Sequence, residues 1–296
     1  MKTVKVYQYD VFTTEPTRGN AAGVVLNGDM ITTDEMQAIA YEAGYNETAF
    51  LMASAHADFQ IRFFTPQKEV DVCGHATIAT VVAAKSKHLI PNDKSHIVVE
   101  TKVGALSMTL KQKGEHWCVT MMQNVPQFKA FEGSVYQLVH ALGIHEEDID
   151  DRFPMVYGNT GVWTLLVPVT SLDVCRKMKP HNQKFAEILT EEPGASVHPF
   201  CLETYNPSRD MHGRHFSASD AGTIEDAVTG TASGVMGAYY AKYINPNHAA
   251  YSLRIEQGQE IGKDGFVEVD VYCDAEQWNV YITGQAIEAR QFSIVL

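Results

Sequence analysis

The stretch Arg62–Ala84, "RFFTPQKEVDVCGHATIATVVAA", changes character twice along its length. It begins in a strand pattern, "ADFQIRFF" (57–64), in which Phe59, Ile61 and Phe63 alternate with polar residues. Pro66 opens a turn, and an acidic–apolar segment leads to Cys73-Gly74-His75. The run that follows, "ATIATVVAA" (76–84), carries no charge on any face. A helix that is apolar all round must be wrapped on all sides. This one falls short of the ~20 residues a membrane span needs. It therefore reads as the central helix of a sheet that curls around it.

The same pattern returns in the second half of the chain. "RHFS" (214–217) and "IEDAVTGTASGVMGAYYAK" (224–242) repeat the order strand, acidic segment, glycine, uncharged helix. With Gly74 set against Gly230, Glu69 falls on Glu225, Ala76 on Ala232 and Thr77 on Ser233. Two similar halves, each a curled sheet around one buried helix, follow from this duplication.

Three uses compete for the joint before each helix. It is a packing turn, a thiol site, or an anion grip. Glycine lets a ligand approach the backbone closely. The first N–H groups of a helix lack internal partners and carry the positive end of its dipole, so such an end takes carboxylate or phosphate. A single copy would favour the packing turn. Two copies, both with polar side chains at the joint, favour a grip on a small acidic molecule.

The bulk numbers narrow the field further. The chain has 296 residues, which suits two domains, and a net charge of −13, which disfavours nucleic acid and anionic membrane surfaces as partners. "MKTVKVYQYDVF" (1–12) is a strand pattern with no leader-like apolar core. The five cysteines are widely spaced, with no CxxC pair, which fits reduced thiols in the cytoplasm better than a disulfide framework. The twelve histidines show no HExxH spacing, so no metal site is expected.

Along the chain, strands are expected at 3–12, 22–26, 48–52 and 57–64, then at 96–101, 105–111 and 116–123. Thr32 and Glu35 form a capping box for a helix that Gly44 stops. "NVPQF" (124–128) marks the expected domain crossing. Beyond it come a helix at 134–142 between Ser134 and Gly143, a long strand at 155–169 and a short helix near 171–178. Strands near 197–205 and 214–218, a helix at 231–243, and strands near 251–257, 265–273, 277–283 and 286–295 complete the reading.

Several segments resemble the phenazine-biosynthesis PhzF-like isomerases, which share the diaminopimelate-epimerase fold. They are "YDVFTTEPTRGNAAGVVL" (9–26), "GYNETAFL" (44–51), "FFTPQKEVDVCGHATIA" (63–79), "IEDAVTGTASG" (224–234) and "ITGQAIEARQFSIVL" (282–296). The resemblance implies an α+β fold of two similar domains, 1–126 plus 286–296 and 127–285, with the active site in the cleft between them. It also implies a cytoplasmic homodimer. The glutamate of "ETAF", here Glu47, becomes the general base and acid. His75 and Asp226 assist it, and Gly74, Gly230 and Thr231 shape the substrate pocket. The chain departs from the family pattern at Ala227, where proline is usual, and at Thr231, where serine is usual. "GNA" (19–21) also stands in place of GNP.

These likenesses imply a cofactor-independent isomerase that moves a proton on a small carboxylated metabolite. The family's named activity acts on a dihydro-hydroxyanthranilate, and nothing in the sequence selects that substrate. Epimerases of this fold use two thiols. Here "AVTGTASG" (227–234) offers none to partner Cys73, which then reads as a small buried residue. Asp226 reads equally as a helix cap and as a substrate ligand. Arg214 reads as the partner of an acidic substrate or of a surface carboxylate, the second being more usual. Tyr7 and Asn20 fall in the first matching segment and are weaker pocket candidates. Two alternatives stand beside the isomerase. One is an amino-acid epimerase or racemase that depends on Cys73. The other is a small-acid binding protein without catalysis.

Overall fold

The computed structural model describes residues 2–275 and 277–296. Contacts divide the chain into two units, Met1–Met121 with Thr283–Leu296, and Met122–Ile282. The sequence places these crossings at 126/127 and 285/286. No turn residue marks them in the structure, because one strand (His116–Met122) ends on the first divide and another (Gln277–Val295) runs straight through the second.

The first unit holds strands β1 (Thr3–Val11), β2 (Asn20–Val25), β3 (Thr48–Met52), β4 (Phe59–Phe64), β5 (Glu69–Val70), β6 (His96–Thr101), β7 (Gly104–Lys113) and β8 (His116–Met122). Helix α1 (Thr33–Ala43) follows β2, and helix α2 (Gly74–Ser86) follows β5. The C-terminal part of the last strand pairs antiparallel with β1, which pairs with β2. β2 runs parallel to β3, β3 antiparallel to β4, and β4 parallel to β6. β6–β7 and β7–β8 are antiparallel, and β8 pairs back onto the last strand. The ring is closed and has no free edge.

Helix α2 packs on β1, β2 and β3 within this ring. Every residue from Ala76 to Lys85 is buried, which is why the run tolerates no charged face. Lys85 ends the run without exposing its ammonium. That group donates to the carbonyls of Pro91, Asn92 and Lys94 at 2.5, 3.2 and 2.8 Å and lies over the Trp117 ring at 4.6 Å. Helix α1 starts on the capping box formed by Thr32 and Glu35 and stops at Gly44 in the left-handed conformation.

The second unit repeats the pairing series. Its strands are β9 (Gln127–Ala130), β10 (Val156–Asn159), β11 (Trp163–Pro168), β12 (Ser196–Cys201), β13 (Met211–Gly213), β14 (His215–Phe216), β15 (Glu225–Asp226), β16 (Ala250–Gln257), β17 (Gly265–Asp274) and β18 (Gln277–Val295). Its helices are α3 (Val135–Leu142), α4 (Leu172–Lys177), α5 (Phe185–Ile188) and α6 (Gly230–Tyr239). β10–β11 is antiparallel, β11–β12 parallel, β12–β13 antiparallel, β13–β16 parallel and β16–β17 antiparallel. That is the order of β1–β2, β2–β3, β3–β4, β4–β6 and β6–β7. Helix α6 packs on β10, β16 and β17. A Cβ added at Gly237 would lie 2.6 Å from Val269 Cγ1 on β17, so this glycine sets how closely helix and sheet approach.

The duplication extends to a matching arginine–glutamate pair in each unit. Arg62 on β4 grips Glu69 on β5 through Nε and Nη2, at 2.7 and 3.0 Å. Arg214 grips Glu225 on β15 in the same way, at 2.9 and 2.7 Å. Each guanidinium also covers the phenylalanine two residues on, Phe64 and Phe216. The expectation of a surface partner for Arg214 is therefore wrong. Glu225 is buried with it, and Arg214 further donates to the Cys175 carbonyl at 2.7 Å.

Two strand expectations also change. The long strand at 155–169 is a hairpin, β10 and β11, broken at 160–162 around Gly161. The two strands at 277–283 and 286–295 are the single strand β18, because Gly284 stays extended within it. Among the described residues, no helix is long and apolar enough to cross a membrane.

Candidate active site

In the first unit the α2 joint brings three chemically distinct side chains together. Glu47 sits immediately before β3, and its carbonyl accepts the Gly23 N–H at 3.1 Å. That bond ties the residue to the parallel β2–β3 pair. Cys73 is the residue before the first turn of α2, and His75 lies within that turn. Glu47 Oε2 lies 3.4 Å from His75 Nε2. On the other side of the same ring, Cys73 Sγ lies 3.4 Å from His75 Nδ1. The side chains of His75 and Glu47 are 12% and 23% exposed, so both are largely withdrawn from water yet reachable.

Gly74 does not serve as a packing joint. A Cβ there would meet nothing within 4 Å. Its backbone is not left-handed either, so neither sterics nor backbone conformation demands glycine at this point. The open space lies beside the helix N-terminus, where N–H groups face outward. Cys73 likewise departs from expectation. It is half-buried, because the buried run of α2 begins only at Ala76. Asn20 is buried at the start of β2.

In the second unit the corresponding joint is built around Asp226. Its carboxylate accepts the Thr229 hydroxyl. Gln257, from the end of β16, braces both residues. Its amide donates to the Asp226 carbonyl at 2.8 Å, and its Oε1 accepts the Thr229 N–H at 3.2 Å. Thr229 immediately precedes α6, so Asp226 holds the residue before the helix through its hydroxyl. Thr231 gives its carbonyl to the Thr160 hydroxyl at 2.9 Å.

His215 is the cross-strand partner of Asp226. Its Nδ1 lies 3.2 Å from His198 Nδ1. Burial pushes both imidazoles below their usual range, His198 far below; Asp226 partly offsets this at His215.

The sequence reading singles out Asp226 but passes over Thr229, His215, His198 and Gln257. The strand register that sets His215 opposite Asp226 is the one signal that would have found it. Gln257 lies on a strand beyond α6, and no local pattern ties it to Asp226.

The profile of the phenazine biosynthesis-like protein family (PhzC-PhzF) matches residues 9–291. An uncharacterised isomerase of Bacillus subtilis, YfhB, is 48% identical over 287 residues, which cover 97% of both chains. A crystal structure of the Bacillus anthracis phenazine biosynthesis protein of the PhzF family superposes with a TM-score of 0.97 at 47% identity, covering 100% of both chains. A hydroxyproline epimerase from Agrobacterium vitis shares the fold at a TM-score of 0.63 and 14% identity, over 99% of this chain and 93% of its own. The repeated strand-and-helix units and these matches lead to one conclusion: the chain belongs to the PhzC-PhzF phenazine biosynthesis-like protein family.

Proposed function

We propose that the protein is an isomerase that shifts a proton within a small carboxylated metabolite, with Glu47 as general base and then general acid. The contact between Glu47 and His75 carries this reading. A carboxylate largely withdrawn from water is a stronger base than a solvated one. A histidine 3.4 Å away orients it. Glu47 takes a proton from a C–H made acidic by conjugation and returns it to another atom of the same molecule. The proton is conserved and no electron leaves, so the step needs no co-reactant. The helix N-terminus at Gly74 supplies N–H donors for the substrate carboxylate.

The Cys73-dependent epimerase is the second reading, supported by the thiol at 3.4 Å from His75 Nδ1. Against it, the α6 joint Thr229-Gly230-Thr231 supplies hydroxyls where an opposing thiol is required. Paired variants separate the two readings. Glu47→Gln removes proton exchange from substrate in D₂O while Cys73→Ala retains it. The reverse pattern would establish the epimerase. Tight binding of an acid with neither exchange nor conversion would establish a binding protein.

A further inference from the structure

The proton shift assigned to Glu47 and His75 leaves the Cys73 thiol without a task. Its position is nonetheless specific. One ligand atom each from Glu47, Cys73 and His75 lies within 4.8 Å of the others. All three residues are only partly buried, although Glu47 Oε2 and His75 Nε2 themselves are covered. The sequence does not reveal the group, because Glu47 comes from a different segment than Cys73 and His75.

We propose that Glu47, Cys73 and His75 form a site for a borderline-soft divalent cation, of which Zn²⁺ fits best, and that its occupancy blocks the base. Zinc takes thiolate sulfur at about 2.3 Å and imidazole nitrogen or carboxylate oxygen at about 2.0–2.2 Å. Tetrahedral placement of such ligands sets them about 3.3–3.7 Å apart. A single cation takes only one ring nitrogen of His75, and the two 3.4 Å contacts are to opposite nitrogens, Nε2 to Glu47 and Nδ1 to Cys73. Binding therefore requires the ligand on the far side of the ring to swing across, within the 4.8 Å that already spans one atom from each residue. Three protein ligands leave the fourth position to water or a substrate carboxylate. On binding, the thiol releases its proton to solvent as the Cys73 sulfur–metal bond forms. The net charge of −13 favours approach of a cation. Mg²⁺ and Ca²⁺ prefer all-oxygen shells and are poor competitors here. A bound cation occupies the carboxylate that would take the substrate proton, so zinc inhibits. That consequence rests on the role proposed for Glu47; the site itself does not.

The test uses Co²⁺ as a spectroscopic stand-in, added to the reduced full-length protein. One equivalent is expected to give a near-ultraviolet cobalt–thiolate charge-transfer band together with visible bands of tetrahedral intensity. Zn²⁺ abolishes both, and excess Mg²⁺ leaves them. Cys73→Ala removes the charge-transfer band, and His75→Asn weakens binding on the order of 100-fold. Zn²⁺ also protects Cys73, but not the half-buried Cys273, from alkylation read by mass spectrometry. A thiolate band that persists in Cys73→Ala, or only weak octahedral bands in the wild type, overturns the site. A third arm measures zinc inhibition of proton exchange, expected in the wild type and lost in Cys73→Ala. Absence of exchange with every acid tried would sink the proposed activity, while the cobalt spectrum still decides the site.

Discussion

His212 offers a prediction whose size follows from the structure. It lies on β13, fully buried, with Nε2 3.0 Å from Glu260 Oε1 and Nδ1 3.3 Å from Glu256 Oε1. The Tyr205 ring packs against it. Burial alone would push the imidazolium down. The two carboxylates, Glu256 in close contact and Glu260 hydrogen-bonded, outweigh burial and raise it to about 9. The unfolded chain binds this proton with an affinity near 6.5. The folded state therefore keeps a proton between pH 6.5 and 9 that the unfolded state has released, and stability falls as pH rises through that window. A difference of about 2.5 units at about 1.36 kcal/mol each makes this group's share about 3 kcal/mol, complete below pH 6.5 and gone above pH 9. Other groups titrate in the same range, so the informative quantity is the gap in unfolding free energy between wild type and His212→Gln. Urea unfolding from pH 6 to pH 10 should show that gap largest at pH 6 and smaller by about 3 kcal/mol at pH 10. A gap that stays constant over this range would refute the reasoning.

The remaining predictions concern the repeated ion pair, a packing glycine and the Asp226 brace. Glu225→Gln leaves the buried Arg214 charge unmatched and should cost about 3–5 kcal/mol of unfolding free energy. Glu69→Gln should cost less, because the Arg62 and Glu69 side chains are 20% and 17% exposed against 6% and 9% for Arg214 and Glu225; equal losses by denaturant titration would contradict this. Gly237→Ala places a methyl 2.6 Å from Val269 Cγ1 and should lower stability by about 1–3 kcal/mol, read as a depressed Tm. Thr229→Val removes the hydroxyl that holds Asp226. The Asp226 carboxylate then loses that donor, and unfolding free energy should fall by about 1–3 kcal/mol in urea titration; an unchanged value would contradict the contact.

Much of the architecture was legible because the decisive signals are local. Thr32 with Glu35, Ser134 and Gly143 are helix punctuation that needs no tertiary context, and each caps or stops its helix in the structure. The uncharged runs after Gly74 and Gly230 identified two wrapped helices for the same reason. What escaped is set by distance in sequence. Gly158-Asn159-Thr160-Gly161 is a turn signal between two apolar runs, and reading 155–169 as one strand overlooks it. Gly284 read as a break, although β18 passes through it. The site divides in the same manner. His75 and Asp226 adjoin recognisable joints, whereas Gln257 and His198 reach the Asp226 cluster only through the sheet. Cys73 was misplaced because a residue just before a buried helix need not share its burial.

The central claim is that Glu47 is the base of an intramolecular proton shift. Its most direct test is NMR of a panel of small cyclic and amino acids incubated in D₂O with wild type and with Glu47→Gln. The account predicts that at least one acid exchanges or isomerises with the wild type, and that the variant loses this by about two orders of magnitude or more while keeping its Tm. Exchange that survives intact in Glu47→Gln would contradict it.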